Sequence, residues 1–478
     1  MDTVSEPDTE PAISVGRMRL TAVIVATALL MQNLDSTVIS TALPAMARSF
    51  HADPLHMSVT LTSYLISLSV FIPASGWVAD HFGSKRVFRA AIVIFTLASV
   101  LCGLAGTLWF IVAARLLQGL GGAMMVPVGR LVLLRSVSKR QMIAAMSWIT
   151  MPSLIGPILG PPLGGFIVTW FSWRWVFDIN VPIGIAGVIA VTLFIPEFRE
   201  PGGGGRLDVP GLVISGLMMA SLMAAMETAG RGLVPWSLTL CAFLVGLACI
   251  FLYALHARRH PHPVLDISLM RIPTFGISVI AGSLFRIPVG AMPFLLPMML
   301  QVGFGRSPLQ SGLVTFASAV GALVMKPVVQ SLLHRFGFRR AMIVNGVIAS
   351  LFIMACAAFR PGWSSWCISL LLLLGGFSRS LQFTAFNTLA YGDVPRPRMS
   401  AATTLYSTIQ QTTLTLGIVI GAALLEFSVA LHGHSKPTPA EFSATFLIVG
   451  LIGMLSVPSC MRLSPKAGAA MSGHGSPP

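Results

Sequence analysis

Asp35 closes the run Leu30-Met31-Gln32-Asn33-Leu34, and Arg115 sits inside Ala113-Ala114-Arg115-Leu116-Leu117. Each is a charge inside an apolar stretch, where an ionisable side chain at bilayer depth costs about 2.5–3.5 kcal/mol even on the lenient insertion scale. At 1.5 Å per helical residue, Asp35 lies about 22 Å above the inner face. Arg115, on a span running the other way, lies about 21 Å above it. Opposite charges at one depth suit a carboxylate that takes up and releases a proton beside a guanidinium. The plainer alternative is an ion pair that only orders two spans. Arg286, Lys326 and Arg379 add cations to the second half of the chain. A substrate cavity lined by Asn33, Gln118, Arg286 and Arg379 is then more cationic than anionic and attracts anions. Lys326 and Arg379 lie near enough to the inner face to snorkel, and Arg130 is expected to do so. Pro288, Pro293 and Pro297, just after Arg286, are expected to break their helix and free carbonyls toward a cavity.

The elements that must hold these residues follow from composition. The chain has 478 residues, 55% of them hydrophobic and 10% charged, with a mean hydropathy of +0.82. So few charges cannot coat a soluble fold, which excludes a water-soluble enzyme, a disordered chain and a collagen-like fibre. An all-α polytopic membrane protein remains. Fourteen apolar runs fit, at 19–44, 57–79, 88–107, 108–134, 141–169, 175–196, 210–229, 236–256, 273–302, 308–333, 341–359, 363–390, 401–430 and 441–461. With the N-terminus inside, twenty lysines and arginines fall in inside segments and six in outside segments, as the positive-inside rule requires. The net charge of +15 then faces anionic lipid, and nucleic acid is not an expected partner.

A repeat divides the chain. Phe82-Gly83-Ser84-Lys85-Arg86 returns as Phe336-Gly337-Phe338-Arg339-Arg340, each in a short basic loop between apolar runs. The expected organisation is a cytoplasmic tail at 1–18, a six-helix bundle at 19–196, a linker with two further spans at 197–272, a second six-helix bundle at 273–462, and a disordered cytoplasmic tail at 463–478. Pro201 to Gly205 read as a flexible stretch of that linker. Gly156, Gly160 and Gly164 recur every four residues, with Pro157 and Pro161 on the adjacent stripe, a pattern for close helix approach and bending. The six cysteines have neither zinc nor disulfide spacing. His256, His260 and His262 lie in a basic loop without a cysteine or carboxylate cluster, so no metal is expected there.

Taken together, these stretches resemble the major facilitator superfamily, in its fourteen-span branch of drug:proton antiporters of the EmrB/QacA type, closest to the MdtD-type subgroup. Leu34 to Pro44 is similar to the Leu-Asp-x-Thr signature of the first span, with Ser40 where Asn is usual. Gly76 to Arg86 resembles the loop motif after the second span, matching at Gly76, Asp80, Gly83, Lys85 and Arg86, with His81 and Ser84 in place of basic residues. Arg115, Gln118, Gly119 and Gly121 resemble the fourth-span motif, and Gly156 to Gly165 the antiporter motif of the fifth. Trp173 to Gly184 resembles a signature of this branch, with Asp178 in an apolar position; an Arg174–Asp178 pair at i,i+4 accounts for it.

The resemblance implies a proton-coupled exporter of drugs or other small toxic compounds in the cytoplasmic (inner) membrane of a bacterium, working by alternating access. It implies that Asp35 and Arg115 couple protons and that Asp80 latches the cytoplasmic gate across the two halves. His334 stands where the second half would repeat Asp80. No GxxxxGK[ST] loop occurs, so the energy source expected is the proton motive force, with no cofactor and no enzymatic activity. The cationic cavity favours an alternative cargo, an organic anion or a citrate-like metal–carboxylate chelate. The expected partners are substrate, protons and lipid around a monomer; nothing in the sequence argues for a periplasmic adaptor.

Overall fold

A backbone buried in lipid must satisfy its own polar groups, so long apolar runs become helices. A computed structural model describes residues 15–50, 59–197, 207–228, 235–261, 263–306, 308–433 and 437–472. The glycines 202–205 lie outside the described residues, as do the side chains of Pro157 and Pro161. The first half holds α1 (Val15–Phe50), α2 (Val59–Phe71), α3 (Ser75–Phe82), α4 (Ser84–Leu104), α5 (Leu108–Ser136), α6 (Met142–Trp170), α7 (Trp175–Asp178) and α8 (Asn180–Phe194). A hairpin of α9 (Val209–Thr228) and α10 (Trp236–Arg259) follows. The second half holds α11 (Pro273–Met298), α12 (Pro308–Met325), α13 (Val329–Ala355), α14 (Ser365–Leu389), α15 (Met399–His432), α16 (Pro439–Met454) and α17 (Ser456–Met461), and α18 (Ala469–Ser472) ends the described chain.

Among the described residues, the body of each apolar run read from the sequence is helical. Among the described residues, eleven helical stretches are long and apolar enough to cross a membrane, and Val209–Ala225 and Gln310–Met325 are shorter apolar helices. Local chemistry sets the ends. Thr107 accepts from Phe110 N to start α5, Thr438 and Glu441 cap α16 reciprocally, and Gly433 closes α15 in the left-handed region. Leu97, Leu193, Leu238 and Phe251 stay exposed on the outside of the bundle, as a lipid-facing surface requires.

The sequence repeat is also a structural one. Gly83 (φ 90°, ψ 134°) and Gly337 (φ 70°, ψ 162°) both turn the chain sharply between two helices, in a region that costs side-chain-bearing residues dearly. The helix partners repeat as well: α1 packs on α6 and α2 on α5, while α11 packs on α15 and α12 on α14. Bare glycine backbone makes these crossings close. A Cβ on Gly160 would overlap Thr37, one on Gly417 the Ile287 carbonyl, and one on Gly376 the Ser318 carbonyl. Gly156 likewise lies against α1, where a Cβ would meet Leu34 N at 3.0 Å. Gly164 is buried, and Gly165 faces open space.

Two expectations fail. The three prolines do not break α11, which runs through Pro288, Pro293 and Pro297 and ends in a π-helical turn at Met299–Gly303; such a turn absorbs carbonyls that proline leaves without donors. The segment from 463 is not disordered as far as residue 472. Leu463 and Met471 are buried, and His334 Nδ1 lies 2.7 Å from the Ser472 carbonyl, so apolar burial docks this segment against α13 of the second half and α6 of the first.

The buried apolar residues form one continuous core across both halves at the end that holds Tyr64, Phe88, Leu389 and Tyr406. At the opposite end, among the described residues, each half keeps its own core, around Trp173 and Phe177 in the first and around Leu300 and Phe442 in the second.

Candidate functional site

Asp35 on α1 and Arg115 on α5 meet inside the first half. Arg115 Nη1 donates to Asp35 Oδ2 at 2.6 Å and to Gln118 Oε1 at 2.5 Å, while Nε donates to the Thr60 carbonyl at 3.1 Å. Gln118 Nε2 donates to Asp35 Oδ1 at 3.0 Å and to Ser99 Oγ at 2.8 Å. Asn180 Nδ2, at the start of α8, donates to the same Asp35 Oδ1 at 3.0 Å. The Tyr64 ring covers the guanidinium, 4.3 Å from centroid to Cζ. Both ionic side chains are 0% exposed. Desolvating two ions costs several kcal/mol each, recovered only when geometry and hydrogen bonding are close to complete. Here three donors converge on one carboxylate.

Gln118 is therefore not a cavity residue. It lies one helical turn from Arg115, on the same face, and is sealed into this network. Asn33 is half-buried and donates to its own helix, at the Leu29 carbonyl 3.0 Å away. Asn180 and Ser99 complete the network and were not singled out by the sequence, because neutral polar residues are unremarkable within a span. Arg174 does not pair with Asp178; it donates to the Ala105 carbonyl at 3.0 Å and stacks on Trp173.

The cations of the second half meet neutral partners. Arg286 is 1% exposed and donates to Asn387 Oδ1 at 3.2 Å and to the Tyr406 hydroxyl, with its Cζ 4.7 Å from the Tyr406 ring centroid. Arg286 thus sits in an enclosed cage, not on an open cavity wall. Lys326 donates to Thr384 Oγ1 at 2.8 Å, and half-buried Arg379 to Ser318 Oγ. Among the described residues no carboxylate pairs with any of the three. Arg130 does not snorkel: it is buried and reaches across the halves to the Tyr391 hydroxyl at 3.1 Å. A cleft of about 550 Å³ opens between α1 and α6 on one side and the α12–α13 junction on the other. Arg19, Arg140 and Lys326 line it, together with Trp148 and, among the described residues, no acidic side chain.

At the shared-core end, Asp80 Oδ1 accepts from Arg135 Nη2 at 2.9 Å, and Asp80 Oδ2 accepts from Ser400 Oγ on α15. Ser75 and Thr404 hydroxyls add a second link across the halves at 3.1 Å. Gly76 allows this approach, since a Cβ there would lie 2.5 Å from Thr404 Oγ1. Lys85 and Arg86 stay within the first half, on the Thr192 carbonyl at 2.9 Å and on Glu197 at 3.4 Å.

Comparison with known proteins agrees with this architecture. The family model described as "Major Facilitator Superfamily" matches residues 25–293 and 290–472. The chain is 41% identical, over 435 residues, to the protein named "Putative multidrug resistance protein MdtD" in Salmonella heidelberg, covering 90% of this chain and 91% of that protein. The match to the same protein of Salmonella typhimurium has the same identity and coverage. Among solved structures, the human organic anion transporter MFSD10 (TETRAN) superposes with a TM-score of 0.67 at 14% identity, covering 93% of this chain and 99% of that one. The proton:xylose symporter XylE gives 0.67 at 14% identity, covering 95% and 98%. At that identity the two structures show the fold alone. Fold, family match and curated relatives converge: the chain is a membrane transporter, not an enzyme, and it belongs to the major facilitator superfamily, in its MdtD-like branch.

Proposed function

We propose that the protein is a proton-coupled efflux antiporter that exports drugs or other small toxic compounds across the inner membrane of a bacterium. It does so as a monomer with fourteen spans and both termini in the cytoplasm, driven by the proton motive force without a cofactor. The observation that carries the reading is the sealed network around Asp35. Protonating Asp35 removes the one carboxylate that, among the described residues, pairs with the buried Arg115 charge, and an uncompensated buried charge costs about 3–5 kcal/mol. That penalty falls if the network opens to water or substrate, so proton uptake biases the two halves toward another arrangement. One charge moved through 100 mV supplies about 2.3 kcal/mol, comparable with the penalty.

The cleft lined by the cations Arg19, Arg140 and Lys326 supports a second reading of the cargo, an organic anion or a metal–carboxylate chelate such as a citrate complex. Inside-out vesicles with an acid interior and a pH-sensitive dye separate the two. Cationic biocides that release protons from wild-type vesicles and not from Asp35→Asn vesicles establish drug:proton antiport. Release by citrate-like anions alone, weakened by Arg140→Ala in the cleft, establishes the anion reading. Undiminished proton release by Asp35→Asn overturns the proposed coupling.

A further inference from the structure

The hairpin of α9 and α10 takes no part in the network, the latch or the cleft, yet its two ends bring together three metal-ligating side chains. Asp208, immediately before α9, is buried at 2% exposure. His256 lies in the last turn of α10, and His260 ends that helix. Four residues apart, the two imidazoles share one face and stack, with ring centroids 5.2 Å apart. His256 Nε2 is 2.8 Å from Asp208 Oδ1, and a ligand atom from each of the three residues lies within 4.8 Å of the others.

We infer that Asp208, His256 and His260 form a binding site for a divalent transition-metal cation of the zinc type, with two imidazoles, one carboxylate and a fourth position for water. Tetrahedral zinc with bonds of about 2.0–2.1 Å sets ligand atoms about 3.3 Å apart, so modest side-chain rotation closes the set. The carboxylate is already oriented. Gly211 N donates to Asp208 Oδ1 at 2.9 Å and Val264 N to Oδ2 at 3.3 Å, as outer partners do for metal ligands. Burial pushes the Asp208 carboxyl up, but the hydrogen bonds from Gly211, His256 and Val264 outweigh it and hold the group below the usual carboxylate range. The C-terminal end of α10 adds its negative partial charge beside the cation. Arg258, two residues from each histidine, falls on the opposite helix face, and Arg258 and Arg259 are both exposed, where solvent screens them. Two imidazoles and one carboxylate suit zinc, nickel or cobalt and exclude magnesium and calcium, which take oxygen donors.

The test uses the full chain in detergent without a polyhistidine tag, titrated with zinc chloride against a chromophoric chelator. The expected result is one tight zinc per chain, weakened at least tenfold by His260→Ala, His256→Ala or Asp208→Asn and unchanged by His432→Ala, a histidine outside the cluster. His260→Cys, which keeps a zinc ligand, should restore binding, so failure to fold is distinguished from loss of a ligand. Cobalt chloride should give the visible bands of a tetrahedral ion in the wild type and lose them in His260→Ala. Absence of tight zinc in the wild type, or equal affinity in His260→Ala, overturns the site.

Discussion

Arg115 is a fork, and its use here distinguishes it from any other cation. It donates simultaneously to Asp35, Gln118 and the Thr60 carbonyl, a geometry that the point charge of a lysine does not reproduce. Arg115→Lys is therefore expected to keep the protein folded and to reduce substrate-driven proton release in vesicles by about tenfold or more, one decade per 1.4 kcal/mol of lost stabilisation. Arg115→Ala leaves the buried Asp35 carboxylate without its cation, facing only the neutral donors Gln118 and Asn180, and should lower the melting temperature in detergent by the equivalent of about 3–5 kcal/mol. Asp35 and Arg115 were legible in the sequence because charge inside an apolar run is rare and costly. Asn180 and Ser99 were not, since their type carries no such signal and their partners lie on other helices. Gln118 was noticed for its type, but its i,i+3 spacing from Arg115 was the better clue to where it points.

At the level of helices, the glycine seams decide which pairs come close. Gly376 lies against the Ser318 carbonyl, so Gly376→Leu must force α14 from α12 and is expected to destabilise the protein by about 1–3 kcal/mol. Gly165→Ala adds a methyl group into open space and should be neutral, or stabilising by about 0.5–1 kcal/mol. Thermal melts of the two variants in one detergent check the contrast. The helices themselves were legible, because runs of about 20 apolar residues leave the backbone no other solution in lipid. Their irregularities were less so. The turn at Gly83 could be read through its repeat at Gly337, whereas the π-helical turn after Pro297 depends on carbonyls that find donors only in the folded chain. The clustering of Asp208 with His256 escaped the sequence for a similar reason: the hairpin fold closes a gap of 48 residues.

Across the whole molecule, one core joins the halves at the Asp80 end and two separate cores serve the other. The polar ties at the joined end are few, and Asp80 makes one from the first half to Ser400. Asp80→Asn and Ser400→Ala are each expected to loosen that end. Amide hydrogen exchange should rise across 75–86 and 399–408 while the cores at the far end keep their protection. Unchanged exchange in both variants would show that the Asp80–Ser400 tie does not hold the halves together. His334, where the repeat places the counterpart of Asp80, has its Nδ1 2.7 Å from the Ser472 carbonyl. That contact has a practical consequence. The terminal segment lies against α13 of the second half and also against α6 of the first, so a fluorophore attached just beyond it sits at the seam between the halves rather than drifting on a tether. Paired with a second dye on exposed Arg86 of the first half, it would report through single-molecule energy transfer whether that seam parts during each transport cycle.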